Sequence, residues 1–324
     1  MEKFFTSINK HKLDSDCENI YCLSLSKNNN VPLLATATSD KYITLYKIYD
    51  TNKIDKSLSY KYHLLGINKL KFNNDSSFLL SGGNDLLVNM FDLEKHCLFR
   101  NFQTDSVVTS FDINYASNLL VIGCYDNYIS VFDVRTRNPV TKIVAHSEPI
   151  TSVKFSEDST VIFSTSYDTF CRVWDVFKYS CLKTYVLEKS PHLNSVCLLP
   201  NQNYILLNAF GGIHEIVNIN TEEEVKNFKG NKLEKYPTDC IVYKSKNEKY
   251  YIMCGDEDGY ICIWDIKGKE DCDKIEIAKN RIINSLDWNN NGLFACASMN
   301  EEEKGIYLLK ENINYNNNNN DINK

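Results

Sequence analysis

Short segments of this chain alternate apolar and polar positions with a period of two, and the alternation keeps restarting. Seven stretches approach one form, apolar-x-small-apolar-x-apolar: Ile20–Leu25, Ile67–Phe72, Val108–Ile113, Ile150–Phe155, Leu193–Leu198, Thr238–Tyr243 and Ile283–Trp288. Period two marks strands, and no comparable stretch carries helical spacing, so the pattern predicts an all-β chain. A second landmark follows each stretch, an aromatic or bulky apolar residue that ends a β-type segment: Tyr46, Phe91, Phe132, Trp174, Val217, Trp264 and Leu308. These anchors are spaced by 45, 41, 42, 43, 47 and 44 residues, the signature of a repeat array. Six residues ahead of the first six anchors stand Asp40, Asp85, Asp126, Asp168, Gly211 and Asp258, while the seventh unit, with Met299-Asn300, breaks the spacing. A turn residue at fixed distance from a buried anchor predicts a tight turn between neighbouring strands.

At two anchors the following residue completes a Trp-Asp dipeptide, Trp174-Asp175 and Trp264-Asp265, and softened copies stand at Phe91-Asp92 and Phe132-Asp133. These units resemble the WD40 repeat over about residues 20–310. Seven such repeats imply a closed seven-bladed β-propeller, a fold that leaves few free sheet edges. The resemblance implies closure by an N-terminal strand, for which Lys3–Ser7, with Phe4 and Phe5, is the candidate. Residues 1–312 are then one propeller, and 313–324, with the run Asn316–Asn320, an Asn-rich disordered tail.

Composition agrees: 43% apolar residues with 20 Tyr and 16 Phe supply a core for one large domain. Glycine is scarce at 12, and Asn73-Asn74, Asn201-Gln202-Asn203 and Asn289-Asn290-Asn291 fall where the first two strands of a unit meet. Asn tolerates positive φ, so these residues are expected to take glycine's place there. A net charge of −6 without a long basic cluster argues against direct nucleic-acid binding. With no apolar run near 18 residues and no signal-peptide pattern at the start, the expectation is a soluble intracellular chain without a membrane span. The 12 cysteines contain no Cys-x-x-Cys pair and are read as reduced core thiols, with no disulfide and no metal site expected.

No catalytic constellation emerges. His146 and Ser147 lack a Gly-x-Ser-x-Gly elbow, Asp256-Glu257-Asp258-Gly259 holds a fragment of a calcium loop, and Gly82-Gly83 and Gly211-Gly212 have no nucleotide-binding spacing. The expected class is a non-catalytic binding platform without a cofactor. The repeat resemblance instead implies a buried hydrogen-bond network of His146, Ser164 or Ser166, Asp168 and Trp174.

A finer likeness lies in Ala145–Pro149, Ser166–Asp175, Cys181–Thr184, Asn201–Leu206 and Glu234–Tyr236. These segments resemble the WD-repeat-five type of scaffold found in COMPASS and MLL-type histone lysine methyltransferase complexes. That resemblance implies protein partners, core subunits of such a complex and a histone tail, and a nuclear location. The alternative is a cytoplasmic adaptor for RNA processing, trafficking or ubiquitin-ligase delivery. It also implies two surfaces. A groove on the side of blades five and six, for an acidic-hydrophobic segment, falls on Asn201, Tyr204, Ile216, Lys226 and Tyr243. The rim of the central opening, which takes an arginine between two phenylalanines, falls on Asn68, Asn84, Thr109, Tyr125, Pro149, Thr151, Tyr167, Asn194 and Cys240. Thr109 and Cys240 stand where those two phenylalanines would be. Loss of the sandwich removes cation–π attraction of about 0.5 to 2 kcal/mol, so arginine capture is expected to be weak.

Overall fold

The computed structural model describes residues 4–11, 19–27, 31–187, 192–200, 203–268, 272–299 and 305–312. All regular elements among them are strands, grouped into seven four-stranded antiparallel sheets. Strand β1 (Phe5–His11) comes first. Blade one is β2 (Ile20–Leu25), β3 (Leu33–Thr38), β4 (Ile43–Asp50) and β5 (Lys53–Tyr60), and blade two is β6 (Ile67–Phe72), β7 (Phe78–Gly83), β8 (Leu87–Asp92) and β9 (Cys97–Gln103). Blade three is β10 (Val108–Ile113), β11 (Leu119–Cys124), β12 (Tyr128–Asp133) and β13 (Pro139–Val144); blade four is β14 (Ile150–Phe155), β15 (Val161–Ser166), β16 (Phe170–Asp175) and β17 (Cys181–Val186). Blade five is β18 (Leu193–Leu198), β19 (Tyr204–Ala209), β20 (Ile213–Asn218) and β21 (Glu224–Lys229); blade six is β22 (Cys240–Lys244), β23 (Tyr250–Gly255), β24 (Tyr260–Asp265) and β25 (Asp273–Glu276). Blade seven has β26 (Ile282–Trp288), β27 (Leu293–Met299) and β28 (Gly305–Glu311), and β1 supplies its fourth strand. This is a seven-bladed β-propeller.

Closure follows the expected route, with different bounds. The N-terminal strand runs to His11 and pairs antiparallel with β28, from Phe5↔Glu311 to His11↔Ile306. Lys3 lies outside the described residues, as do Asn201 and the tail 313–324. Phe4 and Phe5 are buried at 4% and 3% exposure, edge-on to Tyr251 and Phe294. The core sits between blades: Leu80, Met90 and Phe102 of blade two pack on Phe111, Leu120 and Phe132 of blade three. The ring closes the same way, Ile20, Leu34 and Tyr46 of blade one meeting Ala295, Ile306 and Leu308 of blade seven.

The turns divide their work differently from the sequence expectation. After Asp40, Asp85, Asp126 and Asp168 the next residue takes the left-handed conformation, at Lys41, Leu86, Asn127 and Thr169. In the turns between first and second strands the left-handed residues are Ser76, Ser117, Ser159, Glu248 and Gly292, not the asparagines. Asn73 and Asn289 cap these turns with their side chains, Oδ1 accepting from the main-chain N–H of Phe78 (2.9 Å) and of Asn291 and Leu293 (3.0 and 3.1 Å). Asn73 and Asn289 therefore act as hydrogen-bond acceptors rather than as glycine substitutes, while Asn201 and Gln202 lie outside the described residues.

Candidate interaction surfaces

In blade four, Trp174 Nε1–H donates to Ser164 Oγ (2.9 Å), Ser164 reaches His146 Nε2 (2.7 Å), and His146 Nδ1 meets Asp168 (2.9 Å). One tautomer satisfies the chain, with Nδ1–H donating to the carboxylate and Nε2 accepting from the hydroxyl. Burial alone would raise the Asp168 pKa, but the bond from His146 and the N–H groups of Phe170 and Ser147 hold it below the usual carboxylate value. Blade two repeats the arrangement without a tryptophan: His63 Nδ1 meets Asp85 (2.9 Å), and its Nε2 meets Ser81 Oγ (2.6 Å) and Asn89 Nδ2 (3.2 Å). This second network escaped the sequence reading. The 22-residue spacing from His63 to Asp85, equal to that from His146 to Asp168, was the available signal.

The inner strands β2, β6, β10, β14, β18, β22 and β26 face the central channel. At one end a cavity of about 700 Å³ is lined by Asn68, Asn84, Thr109, Tyr125, Thr151, Tyr167 and Asn194 from the expected rim, joined by Tyr21, Tyr236, Thr238, Asp239 and Asn284. Pro149 stands behind this ring, its carbonyl accepting from Tyr167 N–H (3.2 Å). Cys240 is displaced from the expected position. The pairing Ile252↔Trp264 corresponds to Leu120↔Phe132, so Cys240 is in register with Phe111, and Thr238 occupies the place of Thr109. The hydroxyls agree, Thr109 donating to Gly123 O (2.9 Å) and Thr238 to Gly255 O (3.1 Å). Pro237, where an apolar residue opens the other inner strands, disguised the start of this one. Cys240 points into the interior with Leu206, Ile252 and Trp264.

Most rim amides staple neighbouring blades. Asn68 Nδ2 donates to Val108 O (2.7 Å), Asn194 to Thr238 O (2.8 Å), and Asn284 to Ile20 O and Tyr21 O (3.0 and 2.7 Å). The rim acid, Asp239, is engaged by Lys69 (2.7 Å) and Ser285 (2.5 Å). Deeper in the channel a second ring holds the Lys71–Asp112 ion pair, the Lys27–Asp287 pair (3.2 Å) and Lys154.

The expected side groove does not assemble as one surface. Tyr204 and Ile216 share a cluster, and Lys226 is the register partner of Ile216. Lys226 Nζ donates to Ile266 O (3.1 Å) and Gly268 O (2.7 Å), tying blade five to blade six. Ile216 is only 2% exposed and Tyr243 1%. Tyr243 belongs to a different cluster, against Trp288 and Phe294, with its hydroxyl donating to Glu311 Oε2 (2.7 Å) beneath the closing strand. The expectation for Tyr243 is therefore overturned: burial between blades six and seven removes it from any peptide surface. Asn201 lies outside the described residues.

The histidine–serine–aspartate network of blades two and four and the Trp-Asp strand ends of blades four and six are features of the WD40 repeat, and the family comparison finds that repeat in part of the chain. The model for "WD domain, G-beta repeat" matches residues 55–92, 96–133 and 137–175. Each matched unit is the outer strand of one blade followed by the three inner strands of the next. Among curated relatives the chain is similar to "Transducin beta-like protein 3" of Rattus norvegicus, 27% identical over 47% of this chain and 19% of the relative. It is similar to "COMPASS component SWD3" of Saccharomyces cerevisiae, 26% identical over 52% of this chain and 56% of the relative. It is also similar to "Ribosome biogenesis protein YTM1" of Phaeosphaeria nodorum, 24% identical over 72% of this chain and 48% of the relative. The matched segments thus span less than two thirds of each relative.

Proposed function

We propose that this chain is a non-catalytic scaffold that holds together a nuclear multiprotein complex by binding peptide segments of its partners over the central opening. The carrying observation is the tyrosine-rimmed cavity of about 700 Å³, with Tyr21, Tyr125, Tyr167 and Tyr236 around it. Asn68, Asn194 and Asn284 are engaged in joining blades, so tyrosine faces and hydroxyls are the recognition groups that remain. Thr109 and Thr238 replace the aromatic pair an inserted arginine needs, and Lys69 neutralises Asp239. The partner peptide accordingly binds by apolar and aromatic contacts, not by a clamped arginine.

The first reading of the complex is a histone lysine methyltransferase assembly, supported by the likeness in blades four to six and by the COMPASS relative. The second is a ribosome-assembly or RNA-processing complex, favoured by the relative whose match covers 72% of the chain. Affinity purification of the endogenously tagged chain, alone and as a Tyr125→Ala/Tyr167→Ala variant, tests both. Recovery of a SET-domain methyltransferase with its core subunits, lost in the variant, supports the first reading. Recovery of preribosomal or splicing factors, lost likewise, supports the second. Partners retained by the variant would refute the central opening as the binding surface. Tyr204→Ala tests the side of blades five and six separately, since Lys226 has the structural duty described above.

A further inference from the structure

Blade six carries a sulfur version of the histidine network. Ser164 lies two residues beyond Ile162, the partner of Trp174, and Cys254 lies two residues beyond Ile252, the partner of Trp264. A thiol thus stands where blades two and four place a serine hydroxyl. Directly opposite it on the neighbouring strand is a second thiol, Cys240. From blade five, His214 on β20 enters the same space, and the ligand atoms of His214, Cys240 and Cys254 all lie within 4.8 Å of one another.

Two further observations point to a ligand. His214 is fully buried, and its Nε2 meets Asn231 Oδ1 (2.8 Å), so Nε2 carries the proton and Nδ1 presents a lone pair. That Nδ1 has no hydrogen-bond partner, and neither has the buried Oδ1 of Asn208, a side chain whose Nδ2 lies 4.0 Å from Cys254 Sγ. A buried acceptor without a donor costs about 1 to 3 kcal/mol, and both of these atoms carry that cost. Around Cys254 Sγ, Asn231 Nδ2 (3.6 Å) is placed to donate to a thiolate.

We infer that His214, Cys240 and Cys254 form a binding site for a thiophilic d¹⁰ cation that clamps blade five to blade six. The donor set of one imidazole and two thiols suits zinc(II) or copper(I). Three protein donors in a buried space match copper(I), whereas two thiolates neutralise zinc(II), which would draw a fourth ligand from Asn208 or Thr238. Binding releases the two thiol protons as the sulfur–metal bonds form. The strand segment that carries Cys240 also borders the lower channel cavity of about 320 Å³.

The test is reconstitution of the purified full chain with zinc(II) or, under reducing anaerobic conditions, copper(I), followed by desalting and elemental analysis. One ion per chain and a raised melting temperature are expected. Cys254→Ser restores the hydroxyl found in the sister blades and should fold, yet weaken binding by more than about a hundredfold. Cys296→Ala, an equally buried thiol in blade seven, should leave binding intact. Copper(I) binding would show thiolate charge-transfer absorption, and cobalt(II) substitution would report a zinc-type site. Failure to retain either cation, retention by Cys254→Ser equal to the wild type, or a Cys240–Cys254 disulfide in the reduced preparation would overturn the assignment.

Discussion

Replacing His146 by alanine interrupts the blade-four network at its centre, and the structure sets the size of the effect. The ring donates to the buried Asp168 carboxylate at 2.9 Å and accepts from Ser164 at 2.7 Å. A hydrogen bond to a charged group contributes about 1.5 to 3 kcal/mol and a neutral one about 0.5 to 1.5. Asp168 keeps the N–H groups of Ser147 (3.2 Å) and Phe170 (3.1 Å), and Ser164 keeps Trp174 (2.9 Å), which limits the loss. The expected cost is about 3 kcal/mol in urea unfolding, followed by tryptophan fluorescence, with Trp174 inside the network, and by far-ultraviolet circular dichroism. Because Ser164 and His146 belong to one chain of bonds, Ser164→Ala combined with His146→Ala should be non-additive by about 1 kcal/mol. His63→Ala in blade two should cost a similar amount. A loss under about 1 kcal/mol, or strict additivity, would refute the network as a stabilising unit.

Deleting residues 1–11 removes Phe4 and Phe5 from the core and bares the β28 edge, so the truncated chain should aggregate or elute as oligomers in size-exclusion chromatography. Tyr243→Phe leaves the Glu311 carboxylate short of a donor and should destabilise by about 1.5 to 3 kcal/mol, read in the same urea assay. Asp85, Asp168 and Asp287 all have folded-state pKa values below the ordinary one: burial works against this, but it is outweighed by bonds from His63, from His146 and from Lys27 respectively, together with main-chain N–H groups. Their contribution is therefore complete above the unfolded carboxylate pKa and lost as pH falls through the lower folded value, so urea midpoints should drop between about pH 5 and pH 3. A midpoint flat across that window would contradict the assignment.

The repeat period and the strand ends were legible because each unit must place one bulky residue in the same interblade core, and that demand recurs at fixed spacing. Closure by the first strand was legible through the repeat resemblance, with Phe4 and Phe5 marking an apolar segment ahead of the first unit. What depends on packing across the ring was not. Tyr243 has the chemistry of a groove residue, but its burial is decided by β1, about 230 residues before it, and by Glu311, 68 residues after it. In the inner strand of blade six the rim position was assigned two residues too late, to Cys240 instead of Thr238, because Pro237 replaces the apolar opening that marks its sisters. The donor cluster of His214, Cys240 and Cys254 is gathered from three strands in two blades, which no local spacing rule detects.

The rim shows how a propeller can keep its architecture while its ligand changes. A ring position on an inner strand faces two demands, since its side chain can reach either the ligand or the backbone of the next blade. Asn68, Asn194 and Asn284 reach the backbone, and each joins one blade to its neighbour through a main-chain carbonyl. An aromatic residue at these positions could not make that bond. The proposed recognition groups are the turn residues above, where Tyr125 is 60% exposed and Tyr167 is held beside Phe210 and His192. If this division is right, Tyr125→Ala should abolish partner binding with little change in melting temperature, and Asn284→Ala should lower the melting temperature first. The opposite pattern would mean that the amides are the recognition groups and the tyrosines only shield them.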